Sequence, residues 1–126
     1  MSAFGTSVKQ PRGFRSGTFN TTSTSYVTAL SISGAGRLAF LYGSTSQYNY
    51  MRVRITIDGV VVINDAYVSG DSSNSGAYLA PDGVFQYNST SRPYVPLDIQ
   101  FKQSLLIEVY SASSSYNCFA KFGWEA

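Results

Sequence analysis

The chain has 126 residues, of which 44% are hydrophobic, 15% aromatic and only 13% charged, with a formal net charge of +2. This length fits one domain with a packed core, and the charged share is about half of the usual one. The absence of histidine removes the usual general base and zinc ligand, and the single cysteine, Cys118, excludes a disulfide within the chain. No apolar run could span a membrane as a helix and no secretory signal is visible, so we expect synthesis in a reducing cytoplasm.

Charge is distributed unevenly along the sequence. Residues 1–57 contain six basic residues and no acid, whereas residues 58–126 contain three basic residues and all seven acids, which gives +6 and −4. Such asymmetry is typical of a segment that meets an acidic partner, and equally of charges that cluster by chance on a solvated face.

Residues 1–25 are predicted to form an extended N-terminal arm, because glycine, proline, serine and threonine dominate them. A fully extended segment of about 20 residues reaches roughly 65 Å. A polar arm of this kind becomes ordered on a partner, although a frayed terminus is the alternative. Six residues of the arm are the expected partner contacts: Phe4, Lys9, Arg12, Phe14, Arg15 and Phe19.

Residues 26–126 are predicted to be the folded domain, and its first two strands are residues 26–33 and 37–42. A glycine-containing turn, residues 34–36, separates them. Alternation places three larger side chains of the first strand on one face: Tyr26, Leu30 and Ile32. In the second strand it does the same for Leu38, Phe40 and Tyr42.

The clearest element is a β-hairpin within residues 50–64. Its first strand alternates four apolar residues with three polar ones: Met51, Val53, Ile55 and Ile57 against Arg52, Arg54 and Thr56. The Asp58-Gly59 pair that follows favours a type I′ turn, because both central residues need a positive φ. The apolar face of the hairpin requires other strands to cover it.

Residues 64–83 lack periodicity and are predicted to be a long assembly or binding loop, with a solvated connection as the alternative. Tyr67 and Tyr78 lie in this loop among aspartate, serine and asparagine, a composition typical of binding surfaces. The spacing of the polar residues around Asp71 matches no calcium-binding loop.

Strands resume in residues 84–87, 97–102, 105–110 and 116–124. In the last of them Cys118 lies on the apolar face, which predicts a buried thiol, and Phe119 and Lys121 lie opposite. Eight or nine short strands without helical periodicity predict an all-β fold, an antiparallel β-sandwich or jelly roll, with a closed barrel as the alternative.

No catalytic, cofactor or metal site is predicted. Turns or outward strand positions explain most of the carboxylates: Asp58, Asp82, Asp98 and Glu108. Gly34-Ala35-Gly36 is not a phosphate loop, because no Lys-Ser/Thr pair and no helix follow it. Arg52 and Arg54 share a face, but two arginines do not make a nucleic-acid platform. We therefore expect no enzymatic activity and no nucleic-acid or membrane partner.

Ten tyrosines, one tryptophan and many polar side chains offer another possibility, carbohydrate binding. Tyr67, Tyr78 and Tyr94 are the candidate contacts for a sugar. The alternative is that most of these aromatic residues fill the core and interfaces.

Three spans resemble small all-β virion proteins of tailed bacteriophages: GAGRLAFL, RVRITIDGVVVI and PLDIQFKQSLLIEVY. The matching residues are structural: Gly34, Gly36, Ile55, Ile57, Asp58, Gly59, Pro96, Phe101, Ser104, Leu105 and Ile107. The resemblance covers residues 26–124. It implies a virion accessory protein, a class that includes trimeric head-decoration (cement) proteins and tail or fibre modules.

Two functions follow from the residues and the resemblance together. The first is a jelly-roll decoration protein, assembled in the host bacterial cytoplasm, whose homotrimer attaches to the major capsid protein and other virion proteins through the arm. The second is a receptor- or carbohydrate-binding module of a tail or fibre. We expect the first, because a short chain with an arm is suited to attachment on a symmetric lattice.

Overall fold

The computed structural model describes residues 13–45, 51–68, 76–87 and 96–126. These residues contain ten β-strands and no helix, and hence no helix that could cross a membrane. The strands are β1 (Phe14–Thr21), β2 (Val27–Ser33), β3 (Gly36–Thr45), β4 (Met51–Ile57), β5 (Val60–Tyr67), β6 (Gly76–Leu79), β7 (Phe85–Tyr87), β8 (Ile99–Phe101), β9 (Ser104–Ser111) and β10 (Cys118–Glu125).

The strands form two antiparallel sheets packed as a sandwich. The six-stranded sheet has the order β1-β10-β3-β6-β7, with β8 also paired to β3, and the four-stranded sheet has the order β2-β9-β4-β5. The first strand pairs with the last and the second with the last but one, while the chain passes back and forth between the sheets. This connectivity is that of a jelly roll. The predicted all-β sandwich is confirmed, with ten strands in place of eight or nine.

Inward side chains of both sheets form one apolar core. In the central hairpin Met51, Val53 and Ile55 are fully buried, as the alternation predicts. Each such side chain contributes roughly 1.5–3 kcal/mol to folding through burial. They pack with inward residues of the neighbouring strands and the opposite sheet: Leu38, Leu41, Leu79, Leu105, Ile107 and Val109.

The predicted turn at Asp58-Gly59 is present, with φ values of 51° and 82°. The Asp58 carboxylate also accepts hydrogen bonds from the backbone N–H groups of Gln103 at 2.7 Å and Ser104 at 3.0 Å, and from that of Lys102. These bonds hold the pKa of Asp58 below its usual range. The side chain therefore ties the β4–β5 turn to the turn between β8 and β9.

The expectation that residues 14–21 belong to a free arm is wrong. They form β1, which pairs with β10 along its whole length, from Phe14 opposite Glu125 to Thr21 opposite Cys118. The strand escaped prediction because serine, threonine and glycine interrupt its apolar pattern, and it forms because the edge of β10 offers backbone partners. Residues 1–12 lie outside the described residues.

The predicted loop at residues 64–83 contains the end of β5 and the whole of β6, because β5 continues to Tyr67 and β6 runs from Gly76 to Leu79. The pairing of β4 with β5 shifts register twice, and Asp65 adopts a left-handed φ of 58°. Aspartate tolerates this conformation better than most residues, so the Asn-Asp pair marks a bulge and not the end of the strand.

Two further bulges change the predicted faces. A register shift between Thr28 and Leu30 turns Val27 toward the core and Tyr26 toward solvent. A shift beside Leu38 leaves that side chain buried, while Phe40 and Tyr42 point outward. One extra residue in a strand exchanges its two faces, so neither arrangement follows from alternation alone.

Candidate binding surfaces

The outer face of the four-stranded sheet carries a group of tyrosine, arginine and acidic side chains, here named the polar network: Tyr26, Arg52, Arg54, Asp65, Tyr67, Glu108 and Tyr110. Asp65 is its centre. One carboxylate oxygen accepts hydrogen bonds from the hydroxyls of Tyr26 at 3.1 Å and Tyr110 at 3.2 Å. The other accepts from Arg52 at 2.7 Å, which makes this pair a charge-assisted hydrogen bond.

Arginine side chains cover tyrosine rings in the same network. The guanidinium of Arg52 lies 3.9 Å from the ring centre of Tyr67, and that of Arg54 lies 4.1 Å from the ring centre of Tyr26. Arg54 also donates to Glu108 at 2.9 Å. Burial and the hydrogen bond to Asp65 raise the pKa of Tyr26 to about 12. The network therefore satisfies most of its polar groups within the chain.

The outer face of the six-stranded sheet is different, and five aromatic rings on it form what we name the aromatic face: Phe14, Phe40, Tyr42, Tyr78 and Phe119. Ring centres are 6.4 Å apart for Phe40 and Tyr78, 5.0 Å for Tyr78 and Tyr42, and 6.4 Å for Tyr42 and Phe119. Phe14 is 60% exposed. The rings thus form a continuous surface that reaches from β6 across β3 to β10.

Two glycines allow these rings to pack closely against the sheet. A methyl group at Gly123 would collide with Phe40 and would come within 2.8 Å of Phe14, and one at Gly76 would collide with Tyr42. Glycine suits both positions because the aromatic rings occupy the space that a side chain would take. The rings consequently lie close to the backbone, and neighbouring rings are tilted against one another by 55° to 69°.

A groove of about 450 Å³ runs beside β5, the last strand of the four-stranded sheet. One wall is formed by residues 62–67 and the other by residues 82–85, which comprise part of the turn between β6 and β7 and the first residue of β7. Asp65 and Asp82 are its acidic residues, and Asp65 is paired with Arg52; no lysine or arginine is among the described residues that line the groove. We name this feature the β5 groove.

The structure describes three of the six predicted arm contacts. Phe4, Lys9 and Arg12 lie outside the described residues. Phe14 is exposed on the aromatic face, whereas Phe19 packs against the core and so is not a free anchor for a partner. Arg15 is exposed and lies opposite Trp124 in the pairing of β1 with β10.

The structure does not bring the predicted sugar contacts together. Tyr67 lies on the four-stranded sheet, 52% exposed and covered on one side by Arg52. Tyr78 lies on the other sheet, opposite Tyr42. Tyr94 lies outside the described residues. Tyr67 and Tyr78 therefore belong to two separate surfaces.

Pairing within the fold accounts for part of the charge asymmetry along the sequence. Arg37 donates to Glu125 at 2.8 Å, and the polar network contributes Arg52 with Asp65 and Arg54 with Glu108. Each pair joins a base from residues 1–57 to an acid from residues 58–126. An acidic partner is thus not needed to explain these three arginines.

Cys118 is buried, as predicted, and burial raises the pKa of its thiol. No group of three metal-ligating side chains occurs in the part of the chain that the structure describes.

Sequence reasoning identified individual members of both surfaces but neither surface as a whole. It placed Arg52 and Arg54 on one face of their strand. It also placed Phe119 and Cys118 on different faces of β10, and the strand pairing confirms both placements. Their tyrosine partners come from other segments: Tyr67 from the adjacent β5, and Tyr26 and Tyr42 from segments farther away in the sequence. The signal that was available for the aromatic face is the occurrence of aromatic residues on outward positions beside glycine.

No protein-family model matches the sequence, and no curated protein matches it. Solved structures that are similar include a chain in the structure of the infectious bursal disease virus Gx strain, at 12% identity and a TM-score of 0.38. Another is the crystal structure of the infectious bursal disease virus VP2 subviral particle, at 14% identity and a TM-score of 0.38. In both cases 94% of this chain is covered, and it spans 34% of the other chain.

Proposed function

We propose that this chain is a non-enzymatic structural protein of a virus particle, and specifically a decoration protein that attaches to the outside of a capsid. The observation that carries the proposal is the aromatic face. Four rings follow one another on an outward sheet surface, and Phe14, which lies beside Gly123 as Phe40 does, exposes 60% of its area there. Aromatic enrichment with few charges is the composition of the centres of protein interfaces.

The virion part of the proposal draws on the resemblance to phage virion proteins in residues 34–41, 52–63 and 96–110. It is also in keeping with the jelly-roll connectivity, which viral capsid domains use. The charged share of only 13% suits a protein that covers part of its surface in an assembly. Because a capsid repeats the same site many times, modest contacts per copy are sufficient for stable attachment.

The test uses particles from the genome that encodes this chain, prepared with the gene deleted and incubated with purified protein. Electron microscopy and co-sedimentation then measure the position and occupancy of the added protein. We expect wild-type protein on the outer surface. The double variant F14S/Y78S should bind at least about 10-fold more weakly, because aromatic anchors dominate interface energies.

Tyr67→Ser is the matched control, since it removes an exposed tyrosine from the opposite sheet and should leave occupancy unchanged. Far-UV circular dichroism verifies that each variant remains folded. A deletion within the proposed arm should end at residue 12, because removal of residues 14–21 would remove β1. Absence of the wild-type protein from the particle, or full occupancy by the double variant, would overturn the proposal.

A further inference from the structure

A positively charged side chain, that of Lys121 in β10, lies among the rings of the aromatic face. Its neighbours in the strand, Ala120 and Phe122, are buried, whereas Lys121 is exposed. Because side chains alternate along a strand, Lys121 is on the outward surface of the six-stranded sheet, as is Phe119 two residues before it. Lys121 therefore belongs to the surface that we assign to a partner.

Aromatic rings surround Lys121 on three sides. Its partners in the strand pairing are Tyr42 of β3 and Thr18 of β1. Along β10, the outward positions before and after it are Phe119 and Gly123. Over the glycine lie two further rings of the aromatic face, those of Phe14 and Phe40.

The ammonium group of Lys121 has no acidic partner among the described residues. Glu125, the acid that follows in β10, is four residues away, about 13 Å along the strand. It accepts a hydrogen bond from Arg37 at 2.8 Å, and Asp98 forms an ion pair with the same arginine at 3.7 Å. The other described acids belong to the polar network, the β4–β5 turn or the β5 groove. The positive charge on the aromatic face is therefore uncompensated within the described part of the chain.

This charge indicates what kind of surface fits the aromatic face. Two copies that paired their aromatic faces would place a lysine on each side of the contact, without a free carboxylate among the described residues to separate them. A contact that covers the rings also removes water from Lys121, which is unfavourable unless an opposite charge replaces the water. A different protein with a carboxylate at this point satisfies both conditions.

We propose that the partner of the aromatic face is an apolar protein surface that places an aspartate or glutamate carboxylate against the ammonium group of Lys121. The inference rests on the proposed function, because it names the chemistry of the capsid site that this chain covers. Apolar side chains of the capsid contact the surrounding rings and exclude water from the charge pair, which strengthens it. The pair in turn fixes the orientation of the bound protein.

The first experiment titrates the gene-deleted particles with variants of Lys121 and measures occupancy by co-sedimentation. Lys121→Met keeps an unbranched apolar side chain but removes the charge. It should bind at least about 10-fold more weakly, because the carboxylate of the capsid loses its partner. Lys121→Arg keeps the charge and should bind within about threefold of wild type. Lys121→Glu brings two like charges together and should bind most weakly.

Lys102→Met is the matched control, because it removes one positive charge from an exposed position in the β8–β9 turn. The preceding residue, Phe101, pairs with Gly36, which is six residues, about 20 Å, from Tyr42 along β3. The control should bind as wild type does, which separates a specific pair from general attraction by net charge. Added salt should weaken wild-type binding more than binding of Lys121→Met. Far-UV circular dichroism verifies that each variant is folded.

The second experiment identifies the carboxylate with a carbodiimide, which activates a carboxylate so that a lysine amine in contact with it forms an amide bond. Particles that carry the wild-type protein are treated and digested, and the joined peptides are identified by mass spectrometry. We expect Lys121 to be joined to an aspartate or glutamate of the capsid protein. Lys121→Arg is the control that binds without forming the crosslink, because its guanidinium does not react in this way.

Binding of Lys121→Met that equals or exceeds wild-type binding would overturn the inference and leave the proposed function standing. So would the absence of a Lys121 crosslink from particles that wild-type protein fully occupies. Failure of wild-type protein to bind the particle would overturn the proposed function and this inference with it. Loss of binding by F14S/Y78S together with unchanged binding by Lys121→Met would show that the rings are the contact and that no carboxylate faces the lysine.

Discussion

The two sheets of the sandwich carry different kinds of side chain on their outward surfaces. On the four-stranded sheet, Asp65 accepts hydrogen bonds from three side chains that belong to β4, β9 and the residue before β2. On the six-stranded sheet, aromatic rings lie on one another and on glycine. A surface that satisfies its polar groups internally contributes to folding, whereas an aromatic surface retains apolar area that a partner is able to bury.

The largest effect is expected from Asp65→Ala, which removes the shared acceptor of the polar network. Tyr26, Tyr110 and Arg52 lose a partner, and the Nε atom of Arg52 is already buried without one. Alanine is also disfavoured at the left-handed φ of this position. We expect unfolding in urea to show a loss of about 2 kcal/mol.

Asp65→Asn is the matched variant, because asparagine keeps an acceptor and tolerates the same backbone conformation. The Asp65→Asn variant should lose less stability than the Asp65→Ala variant does. Equal stability of wild type and Asp65→Ala would show that the network is not a stabilising feature, and the contrast between the two faces would fail.

A smaller effect is expected from Gly123→Ala, which disturbs the aromatic face. The new methyl group would displace Phe40 and Phe14, but rings at a surface move more easily than rings in a core. We expect a loss of about 1 kcal/mol in thermal or urea unfolding, together with weaker binding to particles. Gly13→Ala is the control, since nothing lies within 4 Å of that position, and it should change neither property.

The smallest and most specific effect is expected on the pKa of Tyr26. Its pKa of about 12 lies above the ordinary value of 10.0 because of burial first and Asp65 second. In Asp65→Asn we expect the pKa of Tyr26 to fall part of the way toward 10.0, as followed by NMR titration with Tyr26→Phe to assign the signal. An unchanged pKa would mean that the hydrogen bond to Asp65 does not form in solution.

Because folding raises the pKa of Tyr26, this residue makes the stability of the protein depend on pH. The stabilisation associated with neutral Tyr26 is fully present below pH 10 and is lost as the pH rises through about 12. Asp58 behaves in the opposite sense, because its pKa is lowered. Its contribution is present above the ordinary carboxyl pKa and is lost as the pH falls through the lowered value.

The parts of the fold that sequence predicted are those with local signals. Strict alternation and an Asp-Gly pair locate the β4–β5 hairpin, and apolar periodicity locates β9 and β10. In contrast, β1 was missed because its pairing with β10 supplies the stability that its own composition lacks. The four residues of β6 are too few to stand out from the polar residues that precede them.

The surfaces were harder to predict than the strands, because they depend on bulges and on pairing between distant segments. Tyr26 joins the polar network only because a register shift near Ala29 reverses its face. Phe40 and Tyr42 are outward for a similar reason beside Leu38. The partners of Asp65 lie 13 to 45 residues away in the chain. Alternation specifies which residues share a face within a strand, but not which strands become neighbours.

The pairing of β1 with β10 affects how the chain folds during its synthesis. Phe14 meets Glu125, and Val27 meets Val109, so both sheets depend on contacts that span most of the polypeptide. During translation β1 therefore remains without its native neighbour until β10 has left the ribosome. A topology this rich in non-local contacts folds on the scale of milliseconds to seconds rather than microseconds. Until β10 pairs with β1, the edges of the early strands are open to other nascent chains, which makes β10 decisive for productive folding.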